Sequence, residues 1–171
     1  MAPGAWRNLA LSTLSFALSF AAWGLISAFA PTFRSDFQLT AQQTALLVAV
    51  PVLLGSLARL PLGLLTDRFG GRLLFPLLFF AVAAAVAAVP SADSYDRLLL
   101  VAFFLGLAGS SFAIGVGFSS RWFPPERQGT ALGIYGLGNV GHSAAVFLGP
   151  VVAASLGRDA VFYGLAALCA V

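Results

Sequence analysis

One arginine stands inside an otherwise apolar run. Arg59 lies within the segment Ala41–Leu65, eight residues before Asp67 and Arg68, whose charges mark a water boundary. At 1.5 Å per helical residue, Arg59 is then about 12 Å deep, near the middle of a hydrocarbon core about 30 Å thick. An ionised side chain at that depth is costly and by default marks a functional site. Its side chain is too short to reach either surface comfortably. Gly55 and Gly63, four residues to either side, fall on the same helical face. A guanidinium is planar, permanently charged and able to grip a planar oxyanion through two N–H bonds. The competing reading of Arg59 is a buried structural ion pair.

Two further residues reach a similar depth. Asn139 is about 15 Å into a segment that begins near Gly129. An amide among apolar side chains needs a partner, so it should face another helix or a polar cavity. Phe112 lies nine residues before Arg121, at the same level; packing is its ordinary role, and only its depth singles it out. His142, one turn after Asn139, shares its face. The favoured expectation for it is a hydrogen bond to a neighbouring helix, with proton handling as the alternative.

These residues require a membrane bundle to position them. Of the 171 residues, 60% are hydrophobic and 9% charged, against roughly 25% charged in soluble domains. A soluble fold of this size has too little interior for so much apolar surface. Five segments are long enough to span: 9–30, 41–65, 73–89, 98–120 and 130–154. A sixth, 160–171, starts but is too short to cross. The expected fold class is therefore all-α membrane protein, an incomplete bundle over residues 1–171. The first segment could be read as a secretory signal, but it exceeds the usual 7–15-residue core and leads straight into further spans.

The charges sit in the linkers. All nine basic residues are arginines, and Arg7, Arg68, Arg72, Arg121 and Arg127 fall on one side of the bundle. Arg34, Arg97 and Arg158 fall on the other, a bias that expects a cytoplasmic N-terminus. No basic stripe interleaved with aromatics supports nucleic-acid binding. One cysteine, Cys169, excludes an internal disulfide and a cysteine-built metal site. Gly136-Leu-Gly138-Asn-Val-Gly141 matches a dinucleotide fingerprint, yet that motif has meaning only between a strand and a helix. No Ser/His/Asp set, carboxylate pair or metal-spaced cluster suggests an enzyme, and no cofactor is called for.

The string Gly63-Leu-Leu-Thr-Asp67-Arg68-Phe-Gly70-Gly71-Arg72 resembles the signature of the major facilitator superfamily between its second and third helices. That resemblance implies two six-helix halves with substrate bound between them near the midplane. Gly55-Ser-Leu-Ala-Arg59-Leu-Pro61-Leu-Gly63 is similar to the second helix of the nitrate/nitrite porter branch. Gly106-Leu-Ala-Gly109-Ser-Ser-Phe112-Ala resembles its fourth helix. Gln128-Gly129-Thr-Ala-Leu-Gly133 and Gly136-Leu-Gly138-Asn139-Val-Gly141 resemble its fifth-helix signature.

By this resemblance Arg59 would bind the anion, Asn139 would hydrogen-bond it and Phe112 would form one wall of an aromatic clamp. His142, Gly138 and Gly141 are candidate lining residues. Gly63, Asp67, Arg68, Gly70 and Arg72 would act as a cytoplasmic gate, with Arg121 or Arg127 pairing with Asp67. The resemblance implies transport of nitrate or nitrite by alternating access, through exchange or cation coupling, in a bacterial-type inner membrane. The lipid bilayer and a C-terminal half that supplies the rest of the site are the expected partners. The alternatives are a carrier for another small anion such as a carboxylate, and a fragment that inserts without transporting.

Overall fold

A computed structural model of the chain describes residues 3–170, and among these no strand occurs. The helices are α1 (Ala5–Ala28), α2 (Ala30–Asp36), α3 (Ala41–Phe69), α4 (Gly71–Ala88), α5 (Tyr95–Leu105), α6 (Ser111–Ser120), α7 (Pro125–Gly136), α8 (Val140–Leu156) and α9 (Arg158–Ala170). Short 3₁₀ turns join α5 to α6 at Gly106–Ser110 and α7 to α8 at Leu137–Asn139. Five stretches are long and apolar enough to cross a membrane: Ala5–Ala28, Ala41–Phe69, Gly71–Ser91, Tyr95–Ser120 and Pro125–Leu156. They coincide with the five expected spans and run a few residues longer at most ends. The expected sixth segment corresponds to α9, and its final residue, Val171, lies outside the described residues.

Local chemistry explains the helix ends. Thr40 caps α3: its hydroxyl accepts from the Gln43 N–H, and the Gln43 side chain accepts from the Thr40 N–H. Pro125 opens α7 at a position where its missing N–H costs nothing. Gly70, at φ 83°, ψ 151°, ends α3, and Gly157, at φ 86°, ψ 153°, ends α8. This left-handed φ favours glycine. The turns from span 2 to span 3 and from span 5 to the sixth helix thus share one backbone conformation.

The spans pack in pairs. Span 1 (α1) lies along span 5 (α7 and α8), span 2 (α3) along span 4 (α5 and α6), and span 3 (α4) along α9. Spans 1 and 4 also touch, joining the two rows. This pattern is unchanged when helices 1–3 are exchanged with helices 4–6, as an inverted repeat requires. Spans 2 and 5 do not pack on each other. They stand at the two edges of a cleft face, with spans 1 and 4 packed between them.

Backbone contact through small residues holds the pairs together. A Cβ built on Gly55 would stand 2.8 Å from the Gly106 carbonyl oxygen, and one built on Gly24 would stand 2.9 Å from that of His142. A Cβ on Gly106 would overlap the Pro51 carbonyl, and one on Gly141 would overlap that of Ala17. In lipid, where apolar burial gives helices no reason to associate, such close approach supplies the packing that does.

Candidate functional site

The contacts of span 2 set the place of Arg59. One turn before it, the Gly55 carbonyl accepts from Ser110 Oγ at 3.3 Å, tying α3 to the 3₁₀ turn of span 4. Gly55 is buried in that contact, whereas Arg59 projects into the open and is exposed. Among the described residues its guanidinium has no hydrogen bond or ion pair. The ion-pair reading of Arg59 therefore finds no partner among the described residues. Gly63 has open space beside it rather than a neighbouring helix.

Asn139 ends the 3₁₀ turn at the middle of span 5 and is exposed. Its Nδ2 donates to the Gly136 carbonyl at 2.9 Å. That bond fixes the side chain locally, while the second amide hydrogen has no protein acceptor among the described residues. Arg59 and Asn139 are therefore two exposed donor groups on spans that do not pack on each other, one of them permanently charged.

Phe112 follows the 3₁₀ turn of span 4 and remains 41% exposed. Its ring centroid is 5.6 Å from that of Phe16 and 6.2 Å from that of Tyr135. Phe16 and Tyr135 stack at 4.8 Å, and the Tyr135 hydroxyl donates to the Ser111 carbonyl at 2.8 Å. Gly115 gives the Tyr135 ring room, because a Cβ there would overlap it. Phe112 thus rests on a fixed aromatic base.

The same base continues along α1. Phe16 meets Phe20 at 4.3 Å, Phe20 meets Trp23 at 5.2 Å, and Trp23 meets the His142 ring at 6.0 Å. The sequence reading did not single out these α1 aromatics. Their spacing of four and three residues, one helical face, was the available signal. His142 makes no hydrogen bond to a neighbouring helix among the described residues, contrary to expectation; it is half-buried and rests edge-on against Trp23. Gly138 and Gly141, the candidate lining glycines, are buried under α1 against Phe16 and Ala17, so their place is in helix packing. The fingerprint-like string that contains them forms helix, 3₁₀ turn and helix, with no strand before it.

The arginine-rich end holds a second group. Arg121 Nη2 donates to Asp67 Oδ1 at 2.9 Å and to the Asp67 main-chain carbonyl at 3.3 Å. The Arg72 guanidinium lies 5.9 Å from the Trp122 ring centroid, and that of Arg68 lies 5.3 Å from the ring of Phe69. Gly71 fits closely against Phe118. At the other end Arg158 pairs with Asp36 and lies 5.5 Å from the Phe33 ring, joining the sixth helix to α2. The sequence alone puts Arg158 among the linker charges and does not show this partner.

The family model for the major facilitator superfamily matches residues 12–171, and the chain belongs to that family. It is a multi-pass membrane protein. The chain is 45% identical over 163 residues to a probable nitrate/nitrite antiporter, NarK1, of Thermus thermophilus, a match covering 95% of this chain and 37% of that protein. It is 41% identical over 150 residues to the nitrite extrusion protein of Bacillus subtilis, covering 88% of this chain and 38% of that relative. A probable nitrate transporter, NarT, of Staphylococcus carnosus is 36% identical over 150 residues, covering 88% and 39%. The chain thus spans less than two-fifths of the length of these curated relatives.

Proposed function

We propose that this chain forms the N-terminal half of a carrier for nitrate or nitrite, working by alternating access against a C-terminal half that completes the site. Arg59 carries this reading: it is a permanent charge at mid-span, exposed and without an ion pair among the described residues. The names of the relatives, nitrate and nitrite transporters or antiporters, support the choice of anion. In this reading Arg59 holds the planar oxyanion by its fork of donors, Asn139 donates from the opposite flank, and Phe112 presses a ring against the anion's face. The Asp67–Arg121 pair lies at the cytoplasmic end, where it holds spans 2 and 4 together until the halves rock apart. The N-terminus is cytoplasmic and the membrane is a bacterial inner membrane.

The test is Arg59→Lys in the complete two-half carrier reconstituted in vesicles. Lysine keeps the charge and loses the fork, so nitrate transport should fall severely at unchanged membrane abundance. Near-normal transport by that variant would sink the role given to Arg59.

A further inference from the structure

Span 5 carries a residue that neither packing nor anion binding by Arg59 and Asn139 accounts for. His142 is the chain's single histidine. It lies three residues after Asn139, in the first turn of α8, and is half-buried. Gly24 holds α8 close to α1 at this level, since a Cβ there would stand 2.9 Å from the His142 carbonyl oxygen. The imidazole is thereby set against Trp23, ring centroids 6.0 Å apart and planes at 76°. Neither ring nitrogen has a hydrogen-bond partner among the described residues. A proton can be taken up there without breaking any bond that holds the bundle.

Its surroundings contain no competing charge. The elements packed on α8 are α1, α9 and the Leu137–Asn139 turn. The one charged residue of α1, Arg7, is more than four turns from Trp23, and the turn has none. The charged residues of α9, Arg158 and Asp159, sit at the opposite end of α8, and its other ionisable residues are Tyr163 and Cys169. On α7, the Tyr135 hydroxyl is committed to the Ser111 carbonyl. Arg59 is on span 2, which does not pack on span 5, and a guanidinium is permanently charged. The carboxylates Asp67, Asp96 and Glu126 lie in the first or last turn of their spans. Within the body of the spans, the His142 imidazole is the side chain whose ring nitrogens can accept a proton and give it up again.

Building on the nitrate or nitrite reading above, we infer that His142 is the proton-coupling residue of the anion cleft. An unpaired ring nitrogen accepts a proton from the side to which the cleft is open. The imidazolium adds a second positive charge to that of Arg59 and lies at cation–π range from Trp23. Anion and proton then favour each other's binding by the same factor. When the cleft opens to the other side, the anion leaves and the ring nitrogen releases its proton. One proton and one monovalent anion cross per cycle, so net charge transfer is zero. Arg59 remains charged throughout.

The experiment uses the complete carrier in proteoliposomes, with nitrate as substrate. An inward proton gradient should accelerate wild-type nitrate uptake several-fold, and an imposed membrane potential should not. Uptake should fall as the pH is raised across the imidazole range, with a slope no steeper than about tenfold per unit for one proton. In His142→Gln the ratio of uptake at about pH 6 to that at about pH 8 should collapse to near one, whatever the absolute rate. A His142→Gln carrier that keeps the wild-type ratio overturns the inference. Arg59→Lys separates the two readings: normal nitrate transport in that variant defeats the anion site itself, with or without an effect at His142.

A second measurement does not depend on transport. With Trp6→Phe, Trp122→Phe and every tryptophan of the C-terminal half replaced by Phe, Trp23 is the single tryptophan of the carrier, and an imidazolium quenches indole emission on contact. Emission should drop on acidification, with a midpoint that moves to higher pH when nitrate is added. An emission flat through the neutral range, or a midpoint indifferent to nitrate, overturns the inference.

Discussion

Arg121 reaches across 54 positions of sequence to grip Asp67 twice, at the carboxylate and at the main-chain carbonyl. The two side chains are 53% and 67% exposed, and an ion pair so open to water contributes at most about 1 kcal/mol. Its effect is therefore on which ends of the spans stay together, not on whether the bundle folds. Asp67→Asn should lower transport by the complete carrier several-fold while membrane abundance stays near normal. Uptake measured beside an abundance blot checks this. A parallel fall in both would assign the pair to folding instead.

Asn139 is held to its own helix by one amide hydrogen, and the other has no acceptor among the described residues. A hydrogen bond to a charged group is worth about 1.5–3 kcal/mol, so Asn139→Ala should weaken nitrate affinity by roughly ten- to a hundredfold. Asn139→Asp sets a carboxylate opposite the anion and should abolish binding. Because the residue is exposed, neither change should shift the unfolding temperature much. Saturation curves and thermal unfolding of the same preparations separate the two effects.

Two glycines of similar appearance should respond in opposite ways. Gly106 abuts the Pro51 backbone, which cannot step aside as a flexible side chain can, whereas nothing lies within 4 Å of a Cβ at Gly63. Gly106→Ala should destabilise the bundle by about 1–3 kcal/mol, the usual cost of overpacking. Gly63→Ala should be neutral or gain up to about 1 kcal/mol from helix propensity. Thermal unfolding in detergent reads both.

The spans were legible because an apolar run of about 20 residues has few other soluble or membrane solutions. Which residue faces which neighbour was less so. Inside and outside of a membrane bundle are both apolar, so hydropathy could not show that Phe16, Phe20 and Trp23 face inward as the cleft floor. The depth count for Arg59, Asn139 and Phe112 used helical rise alone and needed no such knowledge. Gly138 and Gly141 were misjudged because a glycine close to a site and a glycine under a helix look alike in sequence. The 3₁₀ turns were also hidden, since they accompany a tertiary contact, Gly106 against Pro51. Five 3₁₀ residues at 120° each, instead of 100°, turn the following helix by about 100°. A helical wheel drawn from Leu98 therefore points Phe112 about a quarter turn away from its true direction.

The separation of spans 2 and 5 has a bearing on how such a protein changes over time. The frame is fastened by glycines against carbonyl groups, where almost any new side chain collides. The cleft flanks touch nothing across the gap, so Arg59 and Asn139 contribute little to the packing that keeps the bundle folded. Variation is thus nearly free at the exposed edges of spans 2 and 5, where we propose that the cargo is recognised, and nearly forbidden where the helices cross. A lineage built on this plan can wander among cargoes while its architecture stays still.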